Sequence, residues 1–227
     1  MKIKFGAIVT DGRGKLGGHV ASKNRNGAYL RTKVTPSNPQ TVAQSTARGI
    51  LGSLSQSWGG LTDAERLAWN SAVDAWSKTD IFGDIKNPSG LNLYVKLNAN
   101  LLAIAGSVIT LPPAKVETPT AVLLSVDYIT ATGVMTFHMS DDSAIGSIAL
   151  LRATPALSQG VSFVKSELRV IGYAPPALTT VTDTGSYEAK FGDVSTGANI
   201  FASVQFVMPN GQKTVEQKVK VQVNPAP

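Results

Sequence analysis

The chain has no cysteine. That excludes a disulfide framework, thiolate catalysis and cysteine-ligated zinc. Histidine is nearly absent too: His19 and His138 stand far apart in the sequence. A multi-histidine metal site or a histidine general base is therefore not expected, and each reads as an ordinary strand residue. Charged residues make up only 16 % and apolar ones 43 % of the 227 residues. A disordered chain would show the opposite balance. There is no long hydrophobic run. The longest apolar stretch, residues 97–111, is broken by Asn98, Asn100, Gly106, Ser107 and Thr110, too polar and too short to span a bilayer. No apolar segment follows a basic start, so neither a secretion leader nor a membrane partner is expected.

What the first quarter of the chain lacks is acid. Residues 1–60 hold nine bases, Lys2, Lys4, Arg13, Lys15, Lys23, Arg25, Arg31, Lys33 and Arg48, against the single Asp11, a net of +8. The remaining residues are close to neutral, so the whole excess of +6 lives at the N-terminus. Such a segment calls for an acidic partner, either a protein surface or a nucleic acid.

The usual signatures of catalysis are missing. Gly12-Arg13-Gly14-Lys15-Leu16-Gly17 matches G-x-G-x-x-G, but turn signals and a hairpin follow it where a dinucleotide fold needs a helix. There is no phosphate-binding P-loop and no G-x-S-x-G elbow. Asp141 and Asp142 are adjacent, ahead of Ser143 and Gly146, and read as a solvated turn more readily than as a calcium site or an acid–base pair. We expect no enzyme, no catalytic residue, no cofactor and no metal.

What is present divides the chain into four. Residues 1–36 form a glycine-rich basic arm. Ile3, Phe5 and Ala7 to Val9 suit a short strand, and His19–Lys23 faces Ala28–Lys33 across Asn24-Arg25-Asn26-Gly27, whose Asn-Gly pair is a strong hairpin signal. Residues 37–111 read as three helices. The first begins near Thr41 and carries Val42, Ala43, Ala47, Ile50, Leu51, Leu54 and Trp58 before Gly59-Gly60. The second starts at the capping box Thr62-Asp63-Ala64-Glu65 and presents Trp69, Ala72, Val73 and Trp76. The third aligns Leu93, Leu97, Leu101 and Ile104. The helical spacing of Trp58, Trp69 and Trp76 favours core packing over stacking on bases. Residues 112–119, with Pro112-Pro113, read as a linker.

From residue 120 the hydrophobic period falls from 3.6 to 2. Strands are expected at 122–129, 134–139, 147–152, 162–171, 179–182, 187–191, 199–207 and 214–223. That count fits an immunoglobulin- or fibronectin-like sandwich over residues 120–227. The fold class expected is α+β and multidomain.

Two segments carry a resemblance. Asn38-Pro39-Gln40-Thr41-Val42-Ala43-Gln44 runs on to Arg48, and Leu61-Thr62-Asp63-Ala64-Glu65-Arg66-Leu67-Ala68-Trp69 follows. Over about residues 12–105 the chain resembles a group of uncharacterised phage and prophage virion proteins. These share an NPxTxxQxxxR…LTxxxRxxW module and often carry an immunoglobulin-like C-terminal half. The resemblance implies a bacteriophage structural protein, made in the host cytoplasm and located in the virion. With the basic arm, it points to a head auxiliary or capsid decoration protein anchored by its N-terminal module; a tail or connector role is the alternative within the particle. The implied partners are the major capsid protein or connector and tail proteins, with homo-oligomerisation and nucleic-acid binding as competing uses. The residues expected to meet the partner are Lys2, Lys4, Arg13, Lys15, Lys23, Arg25, Arg31, Lys33, Gln44 and Arg48; the last two lie four apart on one helix face.

Overall fold

A computed structural model describes residues 1–4, 6, 11–24, 27–158, 160–183, 185–194 and 197–223, with Gln222 as backbone only. It is an α+β chain. It divides into two compact units, residues 1–49 with 77–87, and residues 50–76 with 88–227.

The first unit is a small sheet with a second hairpin. Strands β1 (Gly14–Leu16), β2 (His19–Asn24) and β3 (Gly27–Thr32) are antiparallel in that order. Gly17, at φ 56°, supplies the left-handed residue that the tight β1–β2 turn needs. The register sets His19 opposite Thr32 and Asn24 opposite Gly27, the hairpin anticipated from the sequence. Its turn residues Arg25 and Asn26 lie outside the described residues. So do Phe5 and Ala7 to Val9 of the strand expected ahead of it. The chain start extends the sheet along β3: the Met1 amino group donates to the Leu30 carbonyl at 2.8 Å, and the Ile3 amide to the Ala28 carbonyl at 3.0 Å.

The second hairpin, β4 (Lys78–Thr79) with β5 (Ile85–Lys86), has no counterpart among the expected elements. Its loop is organised by Asp80, whose carboxylate accepts from the Phe82 amide at 2.8 Å and the Asp84 amide at 3.1 Å.

The second unit contains most of the buried side chains. Helix α1 (Val42–Gly60) carries the chain into it. Helix α2 (Asp63–Ser71) begins at the expected capping box: the Glu65 amide donates to the Thr62 hydroxyl at 3.3 Å, and the Thr62 amide to the Glu65 carboxylate at 2.8 Å. Residues Ala72–Trp76 then tighten into a 3-10 turn, so Val73 and Trp76 do not continue the α-helical face. Helix α3 (Gly90–Leu102) is capped by Ser89. Leu54, Leu61, Trp69, Trp76, Leu93, Tyr94 and Leu97 form one cluster. Asn98 is buried within this module but satisfied, exchanging two hydrogen bonds with the backbone of Ile109 at 2.7 and 3.2 Å.

Beyond residue 120, β6 (Leu123–Ile129), β7 (Val134–Met139) and β10 (Thr180–Thr182) form one sheet in the order β10-β7-β6. Strands β8 (Ile148–Ala153), β9 (Arg169–Ala174), β11 (Asn199–Val207) and β12 (Gln217–Gln222) form the other, β12-β11-β8-β9. Phe137, Met135 and Val126 of the first pack with Leu151, Ile200, Val204 and Phe206 of the second, a two-layer sandwich with alternating inward residues.

Two expected strands are corrected here. Residues 187–191 form a helix, α4 (Ser186–Phe191), and not a strand. The reason is Asp183, whose carboxylate accepts from the amides of Ser186 and Tyr187, both at 2.9 Å, and so starts a helical turn. Tyr187 and Phe191 then share a face, ring centroids 5.1 Å apart, a pairing that also satisfies a strand-like pattern on paper. Of residues 162–171 only the end is extended, since the strand is Arg169–Ala174.

Tyr187 is fully buried and donates its hydroxyl to the Thr154 carbonyl at 3.1 Å. Burial pushes its phenol far up. Tyr187→Phe leaves that carbonyl without its donor and is expected to lower stability by about 1–2 kcal/mol, read as a shift in denaturant midpoint at constant slope.

The segment at residues 112–119 is fastened down. Gln212 accepts from the Val116 amide at 2.8 Å and donates to its carbonyl at 3.0 Å, and Asn210 donates to the Ala114 carbonyl at 3.1 Å. Next to it, Asn100 of α3 donates to the Gly211 carbonyl at 2.8 Å, and Ile104 packs on Leu150 and Val207 of the sandwich. Ile104, in line with Leu93, Leu97 and Leu101 in the sequence, thus belongs to a different cluster.

Candidate functional site

The residue types that carry chemistry are scattered or engaged. Among the described residues no group of three or more His, Cys, Asp or Glu could hold a metal ion. His138 lies 2.9 Å from Asp127 on the sandwich surface, while His19 is exposed at the start of β2. The G-x-G-x-x-G segment leads through β1 into a tight turn and β2, so no helix N-terminus faces a phosphate there. Asp141 organises a turn: it accepts from the Ser143 amide and from the Ser140 hydroxyl, both at 2.9 Å, and bonds to Ser143 and Ser140 hold its carboxyl below the ordinary range. A cleft of about 360 Å³ at the sandwich end is lined by residues including Glu117, Thr120, Ser143, Ile145 and Met208, with a single carboxylate and neither a cation nor an aromatic platform.

The N-terminal unit has a different character. None of its described residues is buried. Six of its larger apolar side chains stand in solvent: Met1, Leu16, Val34, Val42, Ile81 and Ile85 are each more than two-thirds exposed, Val34 the least at 68 % and Val42 the most at 84 %. Ile3, Val20, Tyr29 and Leu30 are half-buried, and backbone hydrogen bonds and surface ion pairs join the described residues.

The expected partner-binding residues divide into two groups. Lys2 pairs with Asp80 at 3.3 Å and Lys4 with Asp84 at 3.1 Å, the latter also 5.2 Å above the Phe82 ring. Burial alone would raise the Asp80 carboxyl, but the Phe82 and Asp84 amides and the Lys2 ammonium hold it below its ordinary value. Lys23 and Arg13 both approach Asp11, at 3.5 and 3.8 Å. Arg48 donates to the Asn38 side chain at 2.8 Å, folding the Asn38-Pro39-Gln40 turn back on α1, whose first turn is capped by the Thr41 hydroxyl. Gln44 is half-buried, its side-chain oxygen shielded from solvent. Arg25 lies outside the described residues. Lys15, Arg31 and Lys33 are exposed and pair with no described residue.

Sequence reasoning missed Asp80 and Asp84, which neutralise two of the arm's cations, and Phe82, whose ring faces the Lys4 ammonium. Their only signal was Asp-x-x-Gly-Asp, a turn pattern, between residues 78 and 86.

No family model matches the chain, and no curated protein matches it. Among solved structures, a β-1,2-glucanase from Parabacteroides distasonis aligns at 12 % identity over 51 % of this chain, TM-score 0.31, and the chain spans only 14 % of that enzyme. The fibronectin(III)-like modules of Clostridium thermocellum CbhA align at 14 % identity over 48 % of this chain and 100 % of theirs, TM-score 0.27. A Fn3-like protein from Clostridium thermocellum aligns at 15 % identity over 49 % of this chain and 97 % of its own, TM-score 0.26. None of the described helices is long and apolar enough to cross a membrane.

Proposed function

We propose that the chain is a non-enzymatic bacteriophage structural protein, a head auxiliary or decoration protein whose N-terminal unit anchors it to the particle. The second unit then presents an immunoglobulin/fibronectin-like sandwich, a reading supported by its strand orders β10-β7-β6 and β12-β11-β8-β9.

The observation that carries the proposal is that none of the first unit's described residues is buried. Ordering a residue costs about 1–2 kcal/mol of backbone entropy. Burying one Val, Leu, Ile or Met side chain returns about 1.5–3 kcal/mol. This unit orders a sheet, a second hairpin and a turn while leaving six such side chains in water. A partner surface that covers them supplies the missing term. An enzyme domain has no use for that arrangement; an assembly anchor does.

The test is mass spectrometry of purified particles from the producing host, with a chain lacking residues 1–36 alongside. The full chain is expected in the particles, and the truncated chain is expected to be lost from them while its sandwich keeps its thermal transition. Absence of the full chain from every particle fraction overturns the virion reading. Incorporation of the truncated chain overturns the anchor.

A further inference from the structure

The register of the first sheet brings together three cations that are distant in the sequence. Lys15 is opposite Val20 on β1–β2, and Val20 is opposite Arg31 on β2–β3. Directly opposed residues share a face, so Lys15, Val20 and Arg31 form one row. Lys33 lies two residues beyond Arg31, its amide still bonded to the Gly18 carbonyl at 2.8 Å, and continues that face. Tyr29, opposite Ser22, completes it on the other side of Arg31. With strands about 4.8 Å apart and a rise of about 3.4 Å per residue, the three cations fall within about 10 Å of Arg31. That is about one Debye length at physiological salt, so they act as a single positive field. Lys2, opposite Tyr29, lies on the same face, but Asp80 meets it at 3.3 Å and offsets its charge. Lys23, an odd number of residues from Val20 on the same strand, belongs to the opposite face, and Asp11 meets it.

We propose that this face, Lys15, Arg31 and Lys33 around Tyr29 and Val20, is the contact by which the anchoring unit docks, and that its partner is a protein surface carrying carboxylates beside apolar side chains. The proposal rests on the anchoring reading above and names the chemistry of the partner. Charge complementarity fixes the carboxylates: the other described cations of the arm are already bonded within the chain, and these three pair with no described residue. The apolar component follows from Val20 and Tyr29, which lie among the cations on this face and are only partly covered. A phosphate backbone would meet the charge but not cover those side chains, and single-strand binding needs several aromatic platforms where this face has only Tyr29. A second copy of the same unit is disfavoured by like charge.

The experiment uses the full chain and three probes of matched charge at physiological salt: a random glutamate–tyrosine copolymer, polyglutamate and oligothymidylate, each followed by fluorescence anisotropy. The copolymer is expected to bind about tenfold or more tighter than the oligonucleotide. The variant Lys15→Gln/Arg31→Gln/Lys33→Gln is expected to lose about tenfold in copolymer affinity, from three exposed pairs removed together, whereas Lys23→Gln, on the opposite face, changes it by about twofold or less. An amide-resolved NMR spectrum of each variant checks that the sheet persists; should the triple variant lose it, Arg31→Gln alone is expected to give about a threefold loss. Oligothymidylate bound as tightly as the copolymer makes the face a nucleic-acid site and overturns the proposal. So does an affinity that the triple variant and Lys23→Gln reduce alike, or no binding to any probe. These outcomes are independent of whether the chain is found in particles, so the two readings fail separately.

Discussion

Replacing Trp69 with alanine is expected to lower the stability of the second unit by about 3–5 kcal/mol. The side chain has no solvent exposure, and its indole stands edge-on to Tyr94 with ring centroids 5.3 Å apart. Removing it leaves a cavity between α2 and α3 that Leu54, Leu93 and Leu97 cannot close without leaving their own packing. It also removes the indole N–H that donates to the Thr110 carbonyl at 2.6 Å. That bond ties the chain leaving α3 back onto α2, so the loss extends beyond the apolar term. Urea titration followed by tryptophan emission measures the effect, because Trp58 and Trp76 remain as reporters in the same helical region. A midpoint unchanged from that of the parent would mean that Trp69 is not a core residue and is held in reserve for a partner.

The same residue shows what the sequence made legible. Trp69 lies in Leu61-Thr62-…-Trp69, where a capping box fixes the helix start, so the helical phase of the tryptophan could be counted from Thr62. Where such a local device is present, expectation and structure agree on where the element begins or pairs: Thr62 at the start of α2, and the pairing of β2 with β3. Strands β7 and β11 likewise fall on the expected residues 134–139 and 199–207, because turn residues bound them on both sides. Departures occur where a residue distant in sequence or a carboxylate just outside the window decides. Asp183 turns Tyr187–Phe191 into a helix, although the segment alternates well enough for a strand. Ile104 keeps the spacing of Leu93, Leu97 and Leu101, yet the sandwich residues Leu150 and Val207 claim it.

The candidate site was legible only as a sum of charge. Composition marks the first 60 residues as basic, but it cannot separate the cations that face an aspartate from those that do not. That separation depends on two long-range facts. Asp80 and Asp84 lie some eighty positions from Lys2 and Lys4, in a hairpin of two-residue strands too short to signal itself. The strand register aligns Lys15 with Arg31 across a strand that carries neither. The Arg48–Asn38 bond similarly gives part of the Asn-Pro-Gln-Thr segment a local task, holding the turn that enters α1, which the spacing of Gln44 and Arg48 on one helix face did not suggest.

Gly211→Val is expected to uncouple α3 from the sandwich and to lower stability by about 2–5 kcal/mol. Two causes act together. The residue has φ 79°, a conformation that a β-branched side chain adopts only under strain. A Cβ there would also lie 2.6 Å from the Leu97 carbonyl oxygen, which is helix backbone and cannot rotate away. Relief requires the loop at residues 208–212 to move off α3, and that movement breaks the Asn100 bond to the Gly211 carbonyl and loosens the grip of Gln212 on Val116. In the parent chain these bonds join the helices and the sandwich into one cooperative body, so tryptophan emission, confined to the helices by Trp58, Trp69 and Trp76, should report the same melting midpoint as the β-sheet signal in circular dichroism. In Gly211→Val the two midpoints are expected to separate, with the helical one falling further because that smaller cluster loses its support from the sandwich. Coincident and unshifted midpoints in the variant would mean that the Gly211 loop carries none of the coupling, and separate midpoints already in the parent chain would mean that residues 112–119 act as an independent linker.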